Sequence, residues 1–136
     1  MADRIVAAAR DLVGVRFRLQ GRCRARGVDC IGLAALALAE AGHRCAVPRG
    51  YGLRSGDEPL ARRWLDLAGL WAVGEARPGD LALVRPGPLQ LHLMIVTPDG
   101  HVHAHAGLGR VVETPGQSPW PVIGHWRTRE DETWRH

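Results

Sequence analysis

The sequence contains no lysine and no asparagine, and all 18 of its basic residues are arginine. Phenylalanine and tyrosine occur once each, against five tryptophans. The missing and scarce residues are those with AT-rich codons, so a GC-rich coding sequence accounts for the bias. The net charge of +4 therefore needs no polyanion to explain it. Basic residues alone carry little specificity, and no nucleic-acid partner is expected. No apolar run reaches membrane-spanning length, because the longest meets Glu40 and then Gly42. No membrane partner is expected either. The first stretch, MADRIVAAARDLVG, has Asp3 and Asp11 within it and reads as an amphipathic helix, not a signal peptide. The expectation is a chain made in the cytoplasm, with any work outside the cell needing a non-standard exit.

Repeats, linkers and low-complexity segments are also absent, and 136 residues suit one domain spanning 1–136. Cys23, Cys30 and Cys45 show no CxxC pair or other zinc spacing. A disulfide framework is not expected from an odd set in a chain made in the cytoplasm.

What is present is a run of helical patterns followed by strands. The spacing predicts helices over 2–13, 30–41 and 57–68, the second apolar almost all round and stopped by Gly42. The third begins at Ser55 or Asp57 and carries Leu60, Trp64 and Leu67 on one face. Residues 14–28 form an Arg-rich connection without periodicity, and PRGYGLRSG is loop. From residue 78 the texture becomes turns and strands: RPGD into LALVR, then LQLHLMIVT, a PDG hairpin into HVHAHA, RVVET and WPVIGHW. Helices first and antiparallel strands afterwards indicate an α+β domain.

Asp29 is a good N-cap, which puts Cys30 at the first position of the second helix. Unpaired N–H groups and the helix dipole favour an anion there, so a lowered thiol pKa and a nucleophilic sulfur are expected. The same N–H groups suit the oxyanion formed when a carbonyl is attacked. By this reading Cys30 should alkylate before Cys23 and Cys45. A thiolate needs a base. His92 shares a strand face with Met94 and Val96, opposite Leu91, Leu93 and Ile95. His101, His103 and His105 share one face of the next strand, beside His92 if the PDG hairpin pairs the two. That makes a complete Cys-His-X set. A His-x-His pair with His92 holding zinc is the rival reading of the same histidines.

The ordered segments resemble the NlpC-type cell-wall cysteine peptidases, which have a reduced papain-like fold. The blocks are VGVRFRLQGRCRARGVDCIGL, RPGDLALV at 77–84, HLMIV from His92, and VHA at 102–104. They run from Val13 to about Glu113 in the family's order, and the FRLQ wording is most similar to the branch found with phage and prophage tails. The resemblance implies N-terminal helices packed on an antiparallel sheet, with the nucleophile at a helix N-terminus. It implies Cys30 as nucleophile, His92 as general base and His103, the histidine followed by Ala104, as the residue orienting it. No metal or cofactor is implied. The implied substrate is a peptidoglycan stem peptide, cut next to a D-glutamyl residue. Partners in a phage-tail-like assembly would carry the chain to the wall.

Three positions depart from the family pattern. Ile31 follows the cysteine in place of serine, Leu93-Met94 replace Val-Gly, and Phe17 stands where a tyrosine hydroxyl assists the site. Gln20 is a neutral donor in the same approach segment and is the candidate replacement for that hydroxyl. A catalytically weak binding module of the same fold is the alternative that Phe17 keeps open. The arginines at 16, 18, 22, 24 and 26 would form a cationic rim for substrate carboxylates.

Overall fold

The computed structural model describes residues 1–45 and 56–129. Helix α1 (Ala2–Asp11) leads into a two-stranded hairpin, β1 (Arg22–Cys23) and β2 (Gly27–Val28), inside the Arg-rich segment. Then follow α2 (Cys30–Glu40), α3 (Glu58–Leu67), β3 (Leu70–Val73), β4 (Leu81–Gly87), β5 (Gln90–Val96), β6 (Gly100–His105), β7 (Arg110–Pro115) and β8 (Val122–Thr128). The six long-range strands form one antiparallel sheet in the order β3-β8-β4-β5-β6-β7. The fold is α+β, as expected.

The alternation along the strands splits the apolar residues between two faces. Leu81, Leu83, Leu91, Leu93, Ile95, Val102 and Ala104 point into the main core with α1 and α2. Ala82, Val84, Met94 and Val96 form a smaller cluster on the other face, covered by Trp120. Helix α2 is buried on most sides, which is why its sequence shows no polar stripe. Its last turn closes with His43 N–H donating to Leu38 O (2.8 Å) and Gly42 N–H to Ala39 O (3.0 Å). Gly42 takes φ +93° to make that turn.

Helix α3 differs from the expected face. Asp57 caps it, accepting from Leu60 N–H, but the buried side is Ala61, Trp64, Leu65 and Ala68. Leu67 is 77% exposed, because one position along a helix is a turn of 100° and here the core lies on the Trp64–Leu65 side. Ser55 and most of the PRGYGLRSG loop lie outside the described residues. Strand β3 had no sequence signal. It is a four-residue edge strand, pairing only β8 and leaving Trp71 and Ala72 exposed.

The Pro-Gly-Asp turn has a structural reason. Asp80, 1% exposed, accepts from Arg127 Nε (2.8 Å) and Nη2 (2.9 Å) and from Arg77 N–H (2.7 Å), so the start of β4 is locked to the end of β8. A glycine two residues past Cys30 has another. A Cβ on Gly32 would stand 2.0 Å from the Gly21 carbonyl oxygen, so the absence of a side chain lets the β1–β2 hairpin press against the first turn of α2. Gly32→Ala is expected to lower stability by about 1–3 kcal/mol through this backbone clash, read as a fall in the denaturant midpoint. An unchanged midpoint would mean that the hairpin does not pack there.

Candidate active site

The N-terminus of α2 is built around one carboxylate. Asp29 Oδ1 accepts from Ile31 N–H (3.1 Å), Gly32 N–H (2.9 Å) and Arg22 Nη1 (2.7 Å), and Oδ2 accepts from Gln20 N–H (2.8 Å). Cys30 is thereby fixed at the first helical position, half-buried against the main core. Gln20 holds φ +58°, a left-handed conformation uncommon for a residue with a side chain. Its amide nitrogen meets Asp29 in that conformation.

The histidines arrive from the sheet. Strands β5 and β6 pair only at Ile95↔Val102 and Val96↔His101, so the stretch carrying His92 is unzipped from its neighbour. His92 Nε2 lies 3.0 Å from His103 Nδ1, the two rings meeting edge-on at 79° with centroids 5.1 Å apart. One proton occupies that hydrogen bond. When His92 Nε2–H is the donor, its Nδ1 is left with a free lone pair, the tautomer a base requires. His105 is committed elsewhere, its Nδ1 accepting from Leu108 N–H at 3.0 Å. His101 lines a different cavity, together with His125.

A cavity of about 620 Å³ brings these groups together: Cys30, His92, His103, Phe17, Gln20, Arg22 and Trp120 all line it. The structure thus collects every residue singled out for the site. Phe17 is held by its N–H to Gly109 O (2.8 Å) and by a bridge to Val28. The side chain of Gln20 is exposed. Of the five arginines at 16–26, only Arg22 reaches the cavity, and Arg24 pairs instead with Asp11.

The charge state differs from the sequence expectation. Burial pushes the Cys30 thiol up to about 12; the Leu93 N–H, Arg22 and its own N–H pull it down less strongly, and the Asp29 carboxylate adds to the rise. Burial is the main cause, and the cap adds to it. Asp29 consumes the N–H groups of Ile31 and Gly32 that would otherwise stabilise a thiolate, and places a negative charge beside it. His92 is lowered to about 3, by burial first and by repulsion from His103 and His105. His103 is lowered to about 4, by burial and then by His105 and His101. The resting site is a neutral thiol beside neutral imidazoles. The expected order of alkylation is therefore reversed: in the free protein, iodoacetamide at pH 7 should label exposed Cys23 well before Cys30. Site-resolved mass spectrometry after brief treatment checks this, and early labelling of Cys30 would mean that the thiolate is already present.

Among the described residues, no three or more His, Cys, Asp or Glu side chains converge as metal ligands. Two cavity residues carried no sequence signal for function. Trp120 stands against the histidine pair from the loop before β8, although WPVIGHW reads in the sequence as a strand. Arg22 bonds the capping carboxylate, but within a run of five arginines nothing distinguished it.

No protein-family model matches the chain, and no curated protein matches it by sequence. Solved structures do. The chain is similar to NlpC1 from Trichomonas vaginalis (19% identity, TM-score 0.70), over 93% of this chain and 45% of that one. It is similar to the peptidoglycan hydrolase RipB from Mycobacterium tuberculosis (25%, 0.63), over 93% and 63%. The P60 domain of an antigen from M. avium subspecies paratuberculosis (22%, 0.61) matches over 93% of both chains. The chain spans about half the length of the first two structures it matches, NlpC1 and NlpC2 of T. vaginalis. The fold is that of the NlpC/P60 proteins, the papain-like arrangement the sequence blocks implied.

Proposed function

We propose that this chain is a cysteine peptidase that hydrolyses amide bonds in bacterial cell-wall stem peptides. One observation carries the reading: the 3.0 Å His92–His103 hydrogen bond lies on the wall of the cavity that Cys30 enters from a helix N-terminus. The substrate class is supported by the fold shared with the peptidoglycan hydrolase RipB, and cleavage next to a D-glutamyl residue by the resemblance of the blocks.

In this mechanism His92 Nδ1 accepts the thiol proton as Cys30 Sγ bonds to the carbonyl carbon. Because the resting thiol and imidazole are both neutral, proton transfer accompanies attack and does not precede it. The N–H groups of Cys30 and Leu93, which act on the sulfur in the free protein, are the donors assigned to the oxyanion. Gln20 supplies an amide donor where Phe17 offers no hydroxyl. The C–N bond then breaks, His92 returns its proton to the leaving amine, and a thioester remains. Water, deprotonated by His92, releases the acid and restores the thiol.

His103 orients His92 and keeps Nδ1 free, so His103→Ala is expected to lower kcat by on the order of a hundredfold or more. His105→Ala and His101→Ala should cost far less, since neither ring bonds His92. Equal losses across the three would sink the role of His103. The direct test is release of new amines from purified peptidoglycan or its stem peptides, followed by mass spectrometry of the products. Tight binding of stem peptides without release, restored to turnover by Phe17→Tyr, would favour the binding-module reading.

A further inference from the structure

We propose that Trp120 is a positioning residue of this site: its indole walls one flank of the His92–His103 hydrogen bond and keeps water from it. The inference rests on the reading of Cys30 and His92 as the reacting pair. The indole centroid lies 5.6 Å from the centroid of each imidazole, at 87° to His92 and 86° to His103. A single ring therefore stands against both members of the pair at once. It also packs on Ala82, Val84, Met94 and Val96, the apolar cluster on the sheet face that carries His92.

The loop that delivers Trp120 is fixed on both sides. Ser118 Oγ donates to Trp120 O (2.8 Å) and accepts from Trp120 N–H (3.1 Å). Pro119 and Pro121 restrict the backbone on either side of the ring. Arg85 N–H donates to Pro121 O (2.9 Å), and Gly116 N–H to Asp99 O (2.8 Å). This is a wall, not a lid. It joins the loop after β7 to residues 28 and 17 positions earlier in the chain, which the hairpin alone could not shield.

The other groups around the pair supply no competing charge balance. Helix α2 brings Cys30, with Asp29 already bonded by Arg22 from β1. Strand β6 brings His101 and His105, and β8 brings His125, which shares the second cavity with His101. These elements bring imidazoles and the thiol to the histidine pair, and the Asp29 carboxylate is already paired with Arg22. Exclusion of water is then what keeps both rings uncharged, in agreement with burial as the first cause of their lowered proton affinity. Water admitted at this flank would compete for the Nε2···Nδ1 bond and solvate an imidazolium.

The test is an NMR titration of ¹⁵N-labelled histidine side chains in the wild type, Trp120→Phe and Trp120→Ala, alongside kcat/KM against pH. Trp120→Ala should raise the titration midpoints of His92 and His103 by a unit or more toward the ordinary histidine value. The acid limb of kcat/KM should move with them, and kcat should fall about tenfold with KM little changed. Trp120→Phe, which keeps an apolar ring, should restore most of both. If Trp120→Ala does not fold, Trp120→Leu carries the same comparison without the ring. A Trp120→Ala protein that merely melts earlier, with titrations and profile superimposed on the wild type, would overturn the inference. Shifted titrations in a protein that cleaves no stem peptide would leave the wall standing and remove the peptidase reading instead.

Discussion

Cys30→Ala is expected to abolish amine release from stem peptides, a fall of roughly 10⁴- to 10⁶-fold, and adding His92→Ala should cost almost nothing more. The argument follows from the neutral resting pair. With the thiol near 12 and His92 near 3, neither group does chemistry alone. The sulfur is not a nucleophile until the imidazole takes its proton, and without the thiol no acyl-enzyme forms on which His92 could activate water. Two residues that act as one unit give non-additive losses, so the single and double variants should share one residual rate. What remains comes from the backbone N–H donors and from binding. Cys30→Ser should lose most of the activity, because an alcohol is a far weaker acid than a thiol and yields its proton to His92 much less readily. Rates of the two singles and the double, measured on one stem peptide, decide the matter. Losses that multiply would show that Cys30 and His92 act independently, and the mechanism would fail.

The parts of this site legible in the sequence were those fixed by local chemistry. Asp29 as N-cap, Cys30 at the first turn and Gly42 as terminator depend on a few neighbouring residues, and each stands where its helix signal put it. The strand faces were legible for the same reason: alternation assigns Leu91, Leu93 and Ile95 to one side and His92, Met94 and Val96 to the other without knowledge of the fold. Long-range placement was not legible. Strand β3 is an edge of four residues whose partner is more than fifty positions away, so no periodicity announces it. Leu67 fits an apolar stripe but faces solvent, because helix pattern fixes spacing and not which side meets the core. The thiol illustrates a subtler limit. A helix N-terminus does favour an anion, but the carboxylate that marks it in the sequence is itself the anion that occupies it. The signal that located Cys30 therefore also works, with burial, against the effect expected of its position. Trp120 reaches the histidines from the loop before β8, where the sequence pattern put the start of the last strand, and nothing local indicated what it covers.

Acid should destabilise this protein steeply, by several kcal/mol between pH 6.5 and pH 4. His92 and His103 hold their folded values at about 3 and about 4, below the ordinary 6.5, and burial also lowers His101 and His125. An unfolded chain takes up these protons near pH 6.5, whereas the folded chain refuses them until pH 4 or below. Through that window the unfolded state binds more protons, so unfolding free energy falls as pH falls, by up to about 1.4 kcal/mol per pH unit for each histidine kept neutral. Above 6.5 neither state is protonated and the dependence vanishes; below about 3 both are, and it vanishes again. Two such histidines exhaust much of an ordinary domain's stability, about 5–15 kcal/mol, before pH 4. Glu113, lowered chiefly by its bond from Arg10, adds a loss of opposite origin only at the acid end, when its carboxylate is protonated. Urea unfolding at pH 7, 6, 5 and 4 measures the slope. His103→Gln should flatten it by about one proton, since an amide has nothing to titrate. A stability that stays level from pH 6.5 to 4.5 would mean the imidazoles are hydrated and charged in the fold. In that case His92 would not be held as a free base in weak acid, and the neutral-pair mechanism would lose its premise.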